Sequence, residues 1–194
     1  MPPHKHQELL TGAIEHESQA HRQLLDGDRD AARAEFATAA DLYRQSWEAA
    51  HARAFGRLVG MLKASVLAGD DALAEASYAR SALADADPGS ATANYARAIA
   101  AVIAGDDEDA VVWAARLDGA PEAFARAGAA IAALAARDEP GYAAAVREIV
   151  RDFEQRSQHL TGVAIADTAL MLEVLAARRG MAAAVVGSPV LPAL

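Results

Sequence analysis

The chain contains no cysteine, which removes disulfides, thiolate nucleophiles, iron–sulfur ligation and cysteine-based zinc sites together. Aromatic residues make up only 5%, and a sheet protein would want more of them and more β-branched side chains. Lysine occurs only at positions 5 and 63. With a net charge of -9 and no basic stripe along the chain, phosphate backbones would be repelled, so nucleic acid is not an expected partner. The most apolar stretch, Val163 to Ala177, is interrupted by Asp167 and Glu173, too polar for a membrane span. The opening segment MPPHKHQELL lacks the apolar core of an export signal. A soluble, cytoplasmic chain with no membrane partner is the expectation.

What is abundant is alanine. It carries much of the 53% hydrophobic content, and alanine is the best helix former. With arginine almost replacing lysine, this composition also points to a GC-rich bacterial genome. A short phrase recurs: LLDGD around Gly27, VLAGD around Gly69, VIAGD around Gly105 and a degenerate LAARD around Arg137. The steps between them are 42, 36 and 32 residues, the range of helical-hairpin repeats. Glycine at the end of each apolar run suits the left-handed position that closes a helix, and the aspartate after it suits the N-cap of the next. Turns this short join antiparallel neighbours. The expected architecture is all-α, with about nine helices near 4–25, 28–45, 46–68, 70–85, 90–104, 107–117, 121–136, 140–157 and 159–178. Ser46 and Ser90 are read as N-caps and Pro121 as a first-turn proline. The whole of 1–194 reads as one domain, with 159–178 a buried closing helix and 181–194 a proline-containing tail.

The second helix of each pair carries Ala32, Phe36 and Ala39, then Ala74 and Tyr78. This small, aromatic, small order resembles the tetratricopeptide repeat over most of residues 13–155. The first-helix tryptophan and the inter-repeat proline of that family are mostly missing, and Ser81 stands where a small alanine is usual. The resemblance implies an irregular right-handed stack with a groove that binds another protein. Its groove positions fall on Glu17, His21 and Leu24, on Val59, Lys63 and Val66, on Tyr95, Ile99 and Val102, and on Phe124, Ile131 and Leu134. Only Lys63 and nearby Arg97 resemble the polar lining of the family's peptide clamps. So apolar a groove is a liability in solution; the last helix fills it, or a partner or a second copy of the chain does. The C-terminal stretch, through its Ala-Ala-Arg-Arg-Gly and Ser-Pro-x-Leu-Pro elements, is similar to the ending of the immunity protein 49 family, which implies neutralisation of a partner toxin.

Asp167 stands out because an ionisable group on so apolar a helix needs a partner. Arg147, Arg151 or Arg178 is the expected one, forming a buried pair; the alternative is that Asp167 faces a pocket with Tyr95 and Lys63. Other candidate sites dissolve on inspection. His16 and His21 are five residues apart, whereas the zinc-protease pattern needs four, and Glu17 with His21 supplies only two ligands. Asp26, Asp28 and Asp30 begin like a calcium loop, but Ala31 and Ala37 occupy its glycine and glutamate positions. His159 near Thr161 reads as helix-start punctuation, and no nucleophile turn or phosphate-cradling loop is present. The sequence therefore points to a non-enzymatic protein-interaction domain without cofactor or metal. An immunity-type protein is one alternative, and a small-molecule sensor with an internal pocket is another. The residues to follow are Glu17, His21, Lys63, Tyr95, Arg97, Phe124 and Asp167.

Overall fold

A computed structural model describes residues 4–50, 53–183, 185 and 187–192. Among them are nine α-helices and no strand: α1 (Lys5–Leu25), α2 (Arg29–Ala49), α3 (Gly56–Leu67), α4 (Leu73–Ala82), α5 (Ala91–Ala104), α6 (Asp107–Ala115), α7 (Glu122–Ala135), α8 (Glu139–Gln155) and α9 (Asp167–Ala177). None is long and apolar enough to cross a membrane. Consecutive helices form antiparallel pairs. Within the stack α3 packs on α5 and α5 on α7, while α2, α4, α6 and α8 pack against their neighbours in sequence. The last helix lies against α3, α7 and α8.

The recurring turn has one mechanism at three of its four places. After α1, α5 and α7, the residues Gly27, Gly105 and Arg137 are left-handed, with φ of 82°, 76° and 58°. The amides of Asp28, Asp106 and Asp138 then reach back to the carbonyls of Gln23, Ala101 and Ala133 at 2.8–2.9 Å, satisfying carbonyls that the helix end leaves open. Each aspartate carboxylate accepts from the amide three residues on, those of Ala31, Asp109 and Gly141. Arg137 shows that the degenerate fourth phrase is the same turn, held without glycine.

The turn at Gly69 departs from the expectation. Asp70 caps nothing there; Asp71 accepts from the Leu73 amide, Ala72 is left-handed, and α4 starts only at Leu73. The looser path turns the Asp70 and Asp71 carbonyls toward Arg178, whose guanidinium donates to both. Arg179 does the same at the next turn, donating to the Val102 carbonyl at 2.8 Å and to Asp107. The Arg-Arg pair thus ties the end of the chain to two of the recurring turns.

Three helix boundaries are corrected. Ser46 starts no helix: α2 runs through it to Ala49. Its fully buried hydroxyl donates to the His6 carbonyl at 2.6 Å and accepts from Arg57 at 2.7 Å, a tertiary use that local reading could not see. Pro121 sits one residue ahead of α7, as its N-cap. The closing helix begins at Asp167 rather than 159. Residues 156–166 are irregular, with Gly162 at φ 71° and the Ala166 amide donating to the Val190 carbonyl at 2.8 Å.

Alanine is the commonest residue of the core, set among large buried side chains such as Phe36, Tyr142, Leu58 and Ile131. Small side chains let the helices approach closely. A Cβ on Gly60 would stand 2.7 Å from the Tyr43 ring, and one on Gly128 would stand 3.1 Å from the Ala114 carbonyl. The Gly60 contact brings Tyr43 of α2 over α3, where it joins the site.

Candidate functional site

Six of the seven residues singled out in the sequence come together at the centre of the stack. Lys63 of α3 is paired with Asp167 at the start of α9, both side chains being nearly closed off at 12% and 15% exposure. None of the expected arginines, Arg147, Arg151 or Arg178, is paired with it: Arg151 bonds Glu148 and Arg178 bonds the Asp70 and Asp71 carbonyls. The reason is geometric, since α9 packs on α3 and delivers Asp167 to the one lysine inside the stack. Burial alone would raise the Asp167 carboxyl, but the Lys63 charge and hydrogen bond more than offset this and hold it below the usual range. Lys63 responds oppositely, with burial opposed and outweighed by Asp167 and Glu17, so its ammonium is retained.

Glu17, on α1, is 2% exposed and accepts from the Tyr43 hydroxyl at 2.7 Å. Burial raises its carboxyl, and Lys63 only partly opposes this. His21, one turn on, is equally buried; desolvation pushes it down to about 4, so the imidazole is neutral. Its Nδ1 lies 3.0 Å from the Thr161 hydroxyl, and Ser18 donates to the Thr161 carbonyl at 2.8 Å. These two contacts fasten the irregular segment before α9 to the first helix. Tyr95 packs edge-on to Phe124, ring centres 5.8 Å apart.

Two adjoining spaces flank this cluster. An outer cleft of about 1030 Å³ opens between α1, α2, α3 and α5, walled by Leu10, Ile14, Trp47, Phe55, Val59 and Phe124, with Glu17, Tyr43, Lys63 and Tyr95 at its floor. An inner chamber of about 240 Å³ lies under the closing segment, between His21, Lys63, Tyr95, His159, Asp167 and Thr168. Lys63, Tyr95, Phe124 and Leu160 border both.

No family model matches the chain, and neither does any curated protein or solved structure. The site is therefore read from its own chemistry.

Arg97 is the one singled-out residue that lies outside it. Its guanidinium is buried over the Trp113 ring, 4.5 Å from the centre, and donates to the carbonyls of Leu83 and Ala86 and to Asn94. It closes the C-terminal end of α4 instead of lining a groove. His16 bonds Glu35, away from Glu17 and His21, and Asp28 acts as a helix cap. Among the described residues no three His, Asp or Glu side chains are grouped to hold a metal ion.

Sequence reasoning missed Tyr43, because groove positions were carried over for first helices only and Tyr43 belongs to a second helix. Glycine at 60, on the facing helix, was the available signal that a large side chain crosses there. It also passed over His159, whose Nδ1 is buried without a hydrogen bond among the described residues. Its position in a segment far from α1 in sequence carried no sign of a shared site.

Proposed function

We propose that the chain is a non-enzymatic binding protein, a protein-interaction domain whose outer cleft takes a segment of another protein. The observation that carries this reading is the cleft itself. The closing segment occupies one end of the concave side and leaves about 1030 Å³ open beside it, enough for one or two bulky side chains and more than isolated core defects provide. Its walls are apolar, and its rims differ in sign, with Arg53 and Arg57 on one side and Asp85 and Asp87 on the other. The occupant that fits is a segment with a bulky apolar residue flanked by an acidic and a basic one.

The cluster at the floor supports binding over catalysis. The Lys63 amine is held as an ammonium by Asp167, Glu17 is held by Tyr43, and the Thr161 hydroxyl accepts from the Val163 amide and lies 3.0 Å from His21 Nδ1. A nucleophile–base pair needs a third group that orients the base, and the far nitrogen of His21 has no hydrogen-bond partner among the described residues. An immunity-type role is one form of the same reading, resting on the similarity of the C-terminal stretch and on the acidic net charge, which suits a basic target.

Selection of peptides from a random display library against the intact protein tests this. Enriched peptides should carry the apolar residue between opposite charges, and Arg53→Glu and Asp87→Lys should each weaken binding about tenfold. Selection of the same peptides by the charge-reversed proteins, or no enrichment, overturns the proposal. A second reading, a small-molecule sensor, is favoured by a separate observation: three polar atoms on the lining of the inner chamber have no hydrogen-bond partner among the described residues.

A further inference from the structure

We propose that the inner chamber is a binding site for a small monocarboxylate of roughly benzoate size. This rests on the small-molecule reading and gives it a ligand class. Three side chains at the chamber carry buried polar atoms with no hydrogen bond among the described residues: His21 Nε2, Tyr95 Oη and His159 Nδ1. Two of these residues are more than nine-tenths buried, His21 at 2% and Tyr95 at 6% exposure. Leaving such groups unpaired costs about 1–3 kcal/mol each, and native structures retain few of them without a reason.

The unmatched groups are mostly donors. The Thr161 hydroxyl oxygen accepts from the Val163 amide, and its own hydrogen has its shorter contact with His21 Nδ1, 3.0 Å against 3.5 Å to the Val163 carbonyl. Neutral His21 then carries its proton on Nε2, the unpaired atom. Tyr95 offers a hydroxyl proton. Lys63 uses one of its three protons on Asp167. The chamber's acceptors, by contrast, are engaged: Asp167 takes Lys63 and the Thr168 amide, and Asp152 takes both Arg126 and Arg156. The cations at its walls are Lys63, paired with Asp167, Arg126, shared between Asp152 and Glu122, and Arg156, paired with Asp152. A surplus of donors beside three cationic side chains, with the nearby carboxylates already engaged, calls for a ligand that accepts hydrogen bonds, and a carboxylate is the compact group that does so most strongly.

Size and wall chemistry narrow the class. At ~30 Å³ per water the chamber of about 240 Å³ holds roughly eight waters, or one molecule of about ten heavy atoms. Ala127, Ile149, Phe153 and Ile165 give it an apolar side, suited to a short aliphatic or aromatic body. Leu160, a 73% exposed side chain, borders both spaces, and the half-exposed Arg126, Asp152 and Arg156 form the chamber's solvent side.

The test is titration calorimetry and thermal unfolding of the full chain at fixed ionic strength. Benzoate and hexanoate are the probes, with benzamide, benzylammonium and inorganic phosphate as comparators. Benzoate or hexanoate should bind saturably, raise the melting temperature, and bind at least tenfold more tightly than the comparators. Tyr95→Phe is the diagnostic variant. Because its hydroxyl proton has no acceptor among the described residues and Thr168 is its one polar side-chain neighbour, the variant should melt within about a degree of the wild type while binding benzoate five- to tenfold more weakly. His21→Leu should lose binding as well. Preference for benzamide or benzylammonium, reduced in Tyr95→Phe, overturns the carboxylate assignment and keeps the small-molecule reading. Equal binding of phosphate overturns the size and shape argument, and absence of binding by every probe overturns both.

Discussion

Removing Lys63 should harm this protein more than removing its partner, and the reason lies in the third charge nearby. In Lys63→Met the pair is gone and two carboxyls, Glu17 and Asp167, are left to repel each other in a site that water barely reaches, with Asp167 keeping the Thr168 amide at 2.7 Å and the Thr168 hydroxyl at 3.4 Å. In Asp167→Asn, Lys63 still faces Glu17, whose carboxyl would then ionise in its favour. Breaking a buried pair costs ~3–5 kcal/mol when one charge is stranded. We therefore expect about 4 kcal/mol for Lys63→Met and about 2 for Asp167→Asn. For a chain of this length each kcal/mol moves the melting temperature by ~2–4 °C, so the two variants should fall by roughly 8–16 °C and 4–8 °C. Lys63→Met with Asp167→Leu replaces the pair by apolar contact and should recover most of the loss. The sign of the pH response adds a second reading. In Lys63→Met both carboxyls sit above their unfolded-state range, so the folded state binds protons more readily, and stability should return as pH falls from 7 toward 5. Urea unfolding followed by far-UV circular dichroism measures all three variants. Equal losses from the two single substitutions, or a double variant that simply adds them, would refute the three-charge account.

Three further outcomes follow from other parts of the molecule. His21 is held neutral down to about 4 against an ordinary 6.5; its contribution to stability is present above pH 6.5 and lost as pH falls toward 4, by about 3 kcal/mol at 1.36 kcal/mol per pH unit, and His21→Gln should flatten that part of the stability profile. Gly105→Ala should destabilise by ~1 kcal/mol, because φ is 76° there, whereas Gly56→Ala, in the first turn of α3 with nothing within 4 Å of the added carbon, should be neutral or slightly stabilising; equal effects would contradict the turn mechanism. Arg179→Ala frees the Val102 carbonyl and Asp107 together, and hydrogen exchange should then speed up in α9 before it does in α1.

The hairpin array was legible because its signals are local. A glycine or its stand-in, then an aspartate, states where a helix stops and the next starts, and the same five-residue phrase marked even the turn at Arg137. The boundary near Ser46 was misplaced because serine's cap preference is local while its hydroxyl here answers to His6 and Arg57. The site was legible by parts. Groove periodicity brought Glu17, His21, Lys63, Tyr95 and Phe124 onto one side, and the oddity of a charge on an apolar helix pointed to Asp167. Which cation meets Asp167 depends on how α9 lies across α3, and no spacing in the sequence encodes that. Arg97 was misassigned because its neighbour on the same helix does line the cleft, yet it lies two residues on, about 200° around the helix, and faces α4.

The site's contacts also separate this fold from a simple pile of hairpins. In a linear repeat array each unit meets only its neighbours, and stability is close to a sum of adjacent terms. Here the deciding contacts run from α1 to residue 161, from α3 to residue 167, and from the turns after α3 and α5 to residues 178 and 179. All of them come from the one segment that follows the last hairpin. Eight helices could therefore stack without forming either the ion pair or the chamber, and the closing segment completes both in one step. Its docking aligns Lys63, which would otherwise face the groove with only Glu17 for company, and it roofs the space where His21 and Tyr95 hold their unpaired atoms. A ligand in the chamber would bridge the first helix and this segment. It would strengthen contacts that join distant hairpins, so the melting transition of the whole chain is the appropriate readout for occupancy of that small space.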